Sequence, residues 1–229
     1  MTTNLTARLL VWDIDGTLIN AGGLGRRAMD MAFFDLYGIP EGFREINMAG
    51  MLDAVLLDQA YRLHGVCGRD PAEFFNRYAK ILAGEVRKLN RPVAAPGIPA
   101  LLKRLENCPG FHHVLGTGNI EAAARLKLSL DRLNGYFPTG GFGSELAERW
   151  QVIRTAIERA RQHFGRSFHP SGIYIIGDTP RDIQCGKILG VKTVGVATGS
   201  YTCEQLAGCG ADFVFTDLSD HEAFLRIFP

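Results

Sequence analysis

The sequence predicts an α/β protein built on a parallel sheet, with a helical segment inserted near its start, and three observations carry that prediction. Apolar runs that stop at turns recur along the chain, first over Leu9 to Trp12 and again over Ile173 to Ile176. From Pro96 onward such runs alternate with segments of helical periodicity, the pattern of right-handed βαβ units. Between the first run and Pro96, residues 21–92 carry successive helical patterns instead. At 229 residues the chain is long enough for a full core domain and a small accessory one.

Taken in order, Leu9, Leu10, Val11 and Trp12 read as a buried parallel strand, since an unbroken apolar run is what a strand covered on both faces requires. The Ala21-Gly22-Gly23-Leu24-Gly25 patch is a flexible entry to a helix over Arg26 to Tyr37, where Ala28, Met31, Ala32 and Leu36 recur at helical spacing. Helical patterns continue over Leu52 to His64 and Pro71 to Lys88, and Asp70 before Pro71 is a start signal for the latter. The insert ends near Arg91-Pro92-Val93-Ala94-Ala95-Pro96-Gly97. Beyond it the reading is helix Ile98 to Glu106, strand His112 to Gly116, helix Ile120 to Arg132, a strand-like Tyr136 to Gly141 and helix Trp150 to Phe164. Strand Ile173 to Ile176, helix Arg181 to Leu189 and strands Lys192 to Val196 and Phe213 to Phe215 complete it. The core is thus split, residues 1–20 joining 93–229 around an insert of residues 21–92.

Charge narrows the function. Lys and Arg number 25 against 24 Asp and Glu, a balance that leaves no electrostatic footprint for nucleic acid or an anionic membrane, so a small-molecule partner is expected. The five cysteines (67, 108, 185, 203 and 209) are odd in number and form no Cys-x-x-Cys pair, which reads as reduced thiols. Met1 to Arg8 shows no basic region followed by a long apolar segment, and the expectation is a cytoplasmic protein, monomeric or homodimeric.

The chemistry sits where the first apolar run ends, in Val11-Trp12-Asp13-Ile14-Asp15-Gly16-Thr17-Leu18. In extended chain, alternate residues share a face, so Asp13 and Asp15 point together at the carboxyl end of a strand, where open α/β sheets gather ligands. Ile173-Tyr174-Ile175-Ile176-Gly177-Asp178-Thr179-Pro180-Arg181-Asp182 repeats that grammar. Adjacent parallel strands would bring Asp178 beside Asp13, and such a cluster calls for a hard divalent cation, Mg²⁺ above all.

These motifs resemble those of the haloacid dehalogenase-like hydrolase superfamily, of the phosphatase type. Asp-x-Asp-Gly-Thr-Leu matches residues 13 to 18 without a gap, and Gly-Asp-x-x-x-Asp matches Gly177 to Asp182. The superfamily's strand-ending Thr or Ser fits Thr117 in Val114-Leu115-Gly116-Thr117-Gly118-Asn119. Its third motif, usually a Lys, is met by Arg149, with Lys127 and Arg154 as the other candidates. The resemblance implies a Rossmann-like three-layer core with residues 21–92 as a mobile helical cap. It implies Asp13 as nucleophile, forming an aspartyl-phosphate, and Asp15 as general acid and then base. Thr117, Gly118, Asn119 and Arg149 would hold the transferring phosphoryl group. Mg²⁺ would be bound by Asp13, by Asp178, by the backbone carbonyl of Asp15, and by Asp182 through water. The substrate would be a small phosphorylated metabolite of the phosphoglycolate or sugar-phosphate type.

Asp15 argues against dehalogenase chemistry, because dehalogenases of the superfamily lack that second carboxylate. Sugar-phosphate mutases keep both aspartates and remain an alternative, although their cap typically shows Gly-x-Ser-Arg where this chain has Gly50-Met51-Leu52-Asp53. A silent ligand-binding protein on the same fold is the other. Several residues have plainer readings: Lys127 as a solvated or hinge-facing side chain, Arg26 and Arg27 as a solvated helix face, Met48, Met51 and Leu52 as cap core. Thr117 is also placed to cap a helix, and Trp12 is strand core. His112 and His113, adjacent on a strand, face opposite sides and make no zinc site.

Overall fold

The computed structural model describes residues 7–145 and 147–228. The stretch from Met1 to Thr6, and Leu146 within the segment leading to Arg149, lie outside the described residues. Among the described residues, six strands form one sheet: β1 (Arg8–Trp12), β2 (Phe111–Gly116), β3 (Gly140–Gly141), β4 (Ile173–Gly177), β5 (Lys192–Val196) and β6 (Phe213–Phe215), in the order β3-β2-β1-β4-β5-β6. Each pairing is parallel. The order reverses direction at β1, so a crevice opens at the carboxyl ends of β1, β2 and β4, and Asp13 leaves β1 there with its amide on the Ile176 carbonyl at 2.9 Å.

Helices α1 (Leu24–Tyr37), α2 (Asp53–His64) and α3 (Pro71–Lys88) lie between β1 and the rest of the sheet in sequence. They are followed by α4 (Ile98–Glu106), α5 (Glu121–Ser129), α6 (Arg149–Phe164), α7 (Pro180–Leu189), α8 (Cys203–Gly208) and α9 (His221–Leu225). The period-two alternation of β1 divides the core into layers. Leu9 and Val11 pack with Ile153 and Ile157 of α6 and Cys185 of α7 on one face. Leu10 and Trp12 pack with Leu101 and Leu105 of α4, Leu128 of α5 and Phe224 of α9 on the other. The result is an α/β fold with a Rossmann-like parallel core and a helical insertion.

The insert builds its own apolar contacts around aromatic rings. Phe74, Tyr78 and Leu82 recur every four residues on α3 and are buried, a stripe that faces α1. Phe33 of α1 meets Phe43 and Phe74 with ring centroids 5.5 and 6.2 Å apart. The start signal at Asp70 is realised: its side chain accepts from the Ala72 amide at 2.9 Å, and Pro71 takes the first helical position. Entry and exit of the insert run side by side. The Asn20 amide donates to the Val93 carbonyl (2.7 Å), the Ala95 amide to the Leu18 carbonyl (2.9 Å), and Ile19 bridges Ala94 antiparallel.

Two expected elements need correction, and two helices had no sequence expectation. The strand expected over Tyr136 to Gly141 is only Gly140–Gly141, because Leu133–Tyr136 winds into a 3₁₀ turn that Leu133 anchors in the core. The helix expected to reach Arg132 ends at Ser129, since Arg132 turns left-handed with φ 59°. Helices α8 and α9, six and five residues long, were not foreseen.

Candidate active site

Asp13 and Asp15 stand at the mouth above β1, and each carboxylate is held by a different cation. Arg149, the first residue of α6, donates from its Nη2 to Asp13 Oδ1 at 2.8 Å. Lys127 of α5 donates from Nζ to Asp15 Oδ2 at 2.5 Å and to Asn119 Oδ1 at 2.6 Å. Asn119 completes a triangle by donating to Asp15 Oδ2 (2.9 Å) and to Thr117 Oγ1 (2.8 Å). The Asp15 side chain remains 48% exposed, towards the cavity, whereas that of Lys127 is only 4% exposed.

Asp178 follows β4 and reaches the same mouth. Its carboxylate accepts from Thr17 Oγ1 at 3.3 Å and lies against Gly16, where an added Cβ would fall 2.3 Å from its Oδ2. Gly16 has φ +84°, so both the turn and the close approach of the two segments require a residue without a side chain. Gly118 is confined in the same way, because a Cβ there would sit 1.9 Å from the Met51 carbonyl oxygen.

Asp182 differs from the others. One of its oxygens accepts from Arg149 Nε and Nη2 (2.9 and 2.7 Å), and the other from the Thr179 amide and hydroxyl (3.1 and 2.6 Å). A carboxylate offers about four lone-pair positions, and these four bonds fill them. Asp182 therefore fixes the start of α7 and aims Arg149 at Asp13.

Oxygens of Asp13, Asp178 and Asp182 lie within 4.8 Å of one another, and this is the one group of metal-binding type among the described residues. Buried, all-oxygen and anionic, it suits a hard divalent cation. The crowding of its carboxylates shows in its protonation. Burial pushes Asp13 up to about 6 against the pull of Arg149, with Asp182 adding to the rise. Burial, then Asp13 and Asp182, push Asp178 up to about 8. At Asp15 burial also acts upward, but the Lys127 ammonium, with Asn119, outweighs it and holds the carboxyl below its ordinary value. Arg149 is held charged by Asp182 and Asp13 despite its burial.

A cavity of about 470 Å³ covers these groups. Its far wall comes from the insert: Met29 of α1, Met48 and Met51 of the loop before α2, and Asp53 and Leu56 of α2. Met48 and Met51 are partly buried against the apolar core while also lining the cavity; Leu52 is buried outright. Arg26 lines the cavity as well, but its guanidinium is bonded to the carbonyls of Phe43 and, at 2.8 Å, Ile46. The solvated helix face expected for it holds only for Arg27, which is exposed.

Lys127 is the residue that reading the sequence misplaced. Expected in solvent or at a hinge, it is buried on Asp15, and a signal existed: it falls at helical spacing from Ala123 and Ala124, on the stripe that α5 buries with Leu128. Arg154 is exposed and near Glu158 at 3.8 Å, far from any role here. His113 is buried on β2 with Trp12 Nε1 donating to its Nδ1 at 3.2 Å, and burial, with His112, lowers it to about 4. Asp53 had no signal, since an acidic residue in a first helical turn is ordinary. Among the described residues no helix is long and apolar enough to cross a membrane.

Comparison with known proteins agrees with this geometry. Residues 152–221 match the family model described as HAD-hydrolase-like. A phosphoglycolate phosphatase of Aquifex aeolicus is 25% identical over 197 residues, covering 81% of this chain and 83% of its own. Among solved structures, a predicted phosphatase from Clostridium acetobutylicum superposes with a TM-score of 0.72 at 21% identity, over 96% of this chain and 99% of that one. CbbY from Rhodobacter sphaeroides, solved with phosphate, does so with a TM-score of 0.71 at 16% identity, over 94% and 96%. With the paired motifs at the ends of β1 and β4 meeting at one carboxylate cluster, the chain is similar in fold and site to haloacid dehalogenase-like hydrolases.

Proposed function

We propose that this enzyme is a Mg²⁺-dependent phosphatase that hydrolyses a small phosphate monoester, of the phosphoglycolate or sugar-phosphate type, through an aspartyl-phosphate on Asp13. The observation that carries this reading is the division of labour between two neighbouring carboxylates, Asp13 on Arg149 and Asp15 on Lys127. A nucleophile and an acid-base group need different environments, and the two cations supply them.

In this reading Arg149 orients the Asp13 carboxylate for in-line attack on phosphorus. The bond to the leaving oxygen breaks as the Asp13–phosphorus bond forms, and the leaving oxygen takes a proton from Asp15. Lys127 and Asn119 keep Asp15 ionised before substrate binds. An incoming anionic phosphate raises its affinity for a proton, which it then delivers. Once the alcohol has left, Asp15 removes a proton from water, and attack by that water releases phosphate and frees Asp13. Thr117, Gly118 and Asn119 line the cavity where the phosphoryl oxygens would sit, with Arg149 adding positive charge. Mg²⁺ would be held by Asp13 and Asp178, with the Asp15 carbonyl, and would neutralise charge between two anions that otherwise repel; Asp182, whose lone pairs Arg149 and Thr179 occupy, would reach it through water only in exchange for one of those bonds. Residues 21–92 serve as a cap over a core of residues 1–20 and 93–229, with the paired segments at 18–20 and 93–95 as its hinge.

The test is phosphate release from phosphoglycolate, sugar phosphates, nucleotides and p-nitrophenyl phosphate, with and without Mg²⁺. Release is expected only with Mg²⁺, and Asp13→Asn is expected to abolish it. Absence of release from every ester would overturn the reading in favour of a mutase or a silent binder.

A further inference from the structure

Asp53 opens α2 and is buried at the wall of the cavity, on the side opposite the nucleophile's strand. Three hydrogen bonds meet there, joining the start of α2 to the loops that follow β2 and β3. The Asp53 amide donates to the Gly118 carbonyl at 2.7 Å, and the Ala54 amide donates to the Gly143 carbonyl at 3.0 Å. In return, Asp53 Oδ2 accepts from the Ile120 amide at 2.9 Å.

The exchange is reciprocal because each helix lacks what the other provides. The first amides of a helix have no partner within it, and those of α2 find loop carbonyls. At α5 the N-cap is Ile120, which has no side-chain acceptor, and the third helical residue is Ala123, which cannot return a carboxylate to the N-cap amide as a capping box would. Asp53 fills that place from a different helix. Ile120 is one residue from Asn119, which bonds Thr117, Asp15 and Lys127. The Gly143 amide ties the two loops together through the Asn119 carbonyl at 2.8 Å.

We propose that Asp53 is a positioning residue that makes the seating of α2 on the core and the ordering of the Thr117–Ile120 loop a single event, so that the phosphate-binding loop is held ready only when the insert is seated. This rests on the phosphatase reading of the same site. When α2 lifts, the Ile120 amide loses its acceptor and the Gly118 and Gly143 carbonyls lose their donors together, and the loop that holds Asn119 against Asp15 loosens.

The experiment pairs steady-state kinetics on p-nitrophenyl phosphate with amide hydrogen exchange in segments 50–56 and 117–123, for Asp53→Ala, Asp53→Asn and Ile120→Pro. Asn keeps an acceptor oxygen. Pro deletes the donor from the other side at a residue whose φ of −62° it can adopt. Asp53→Ala and Ile120→Pro are each expected to raise KM roughly 2- to 30-fold, the range for loss of a helix cap, with a smaller change in kcat. Both segments should exchange faster together. Asp53→Asn should restore KM to within about twofold. Unchanged KM in the two disruptive variants, or faster exchange in one segment alone, would overturn the proposal and leave Asp53 a simple cap. Should the wild-type protein release no nitrophenol, the phosphatase reading fails on its own, and the exchange arm still decides whether the two segments move together.

Discussion

At the scale of single residues the site is organised by two buried cations that sequence motifs treat unequally. Arg149 is the residue proposed for the place of the usual Lys, and its fork spans what one ammonium would have to choose between: Nη2 on Asp13 and, with Nε, on Asp182. Lys127, only a fallback candidate for the third motif, and Asn119 are the side chains bonded to Asp15. Lys127→Met is expected to leave Asp15 poorly aimed at the leaving oxygen. Positioned proton transfer contributes roughly 10²- to 10⁴-fold, so kcat on an alkyl ester such as glycerol phosphate should fall at least about tenfold. On p-nitrophenyl phosphate, whose leaving group departs without a proton, the pre-steady-state burst that reports transfer to Asp13 should slow far less, although turnover still feels the loss of the base that activates water. Equal slowing of that first step on both esters would mean that Lys127 supports the loop and not the acid step. The two aspartate motifs and Thr117 were legible because their order and strand context are local. Asp53 was not, and for Lys127 the helical spacing signals burial but not its partner, since the partners are 67 and 112 residues away in sequence.

At the scale of elements, legibility followed the length and regularity of the pattern. α3 and α4 have the bounds that Pro71, Lys88, Ile98 and Glu106 announced, because a proline near the helix start and a periodic apolar face agree there. β5 and β6 were equally plain. The element β3 was overdrawn, since Gly140 and Gly141 carry no side-chain pattern and pair with β2 only through two residues. α8 and α9 are too short for periodicity to register, and their termini rest on local caps such as Asp220 accepting from the Ala223 amide at 2.9 Å. β2 carries a prediction of its own. His113, lowered in the fold to about 4, is neutral there while the unfolded chain binds a proton near 6.5, so its contribution to stability is present above pH 6.5 and lost as pH falls towards 4. The loss amounts to about 3 kcal/mol over that window. His113→Asn keeps an acceptor for Trp12 without a titrating ring. Urea unfolding of the two proteins between pH 7 and pH 4 should show the variant losing less stability on acidification, and parallel curves would refute the assignment.

At the scale of the whole molecule, the fold brings together groups that oppose its own stability. The sheet order places the ends of β1 and β4 side by side, and at that mouth Asp13, Asp15, Asp178 and Asp182 face only Arg149 and Lys127 as cations among the charged groups bonded to them. Among the described residues, Asp178 is the member with no side-chain cation bonded to it, and the upward push on it to about 8 is the electrostatic record of that crowding. Such strain persists at functional sites because a ligand relieves it. Mg²⁺ binding should therefore stabilise the folded state, by about 2.7 kcal/mol at a hundredfold excess over its dissociation constant. For a chain of this size that is a rise in Tm of roughly 5–10 °C. Asp178→Asn removes a ligand and, above pH 8, a buried negative charge at once, so at pH 9 the two effects separate. In EDTA the variant should melt at or above the wild-type temperature, and in Mg²⁺ its Tm should no longer rise. A variant that melts lower in EDTA would show that Asp178 is needed for the fold itself, whereas one that keeps the full Mg²⁺ shift would place the cation away from β4. The pattern expected, a more stable protein that no longer responds to metal, is what separates a carboxylate held for chemistry from one held for structure.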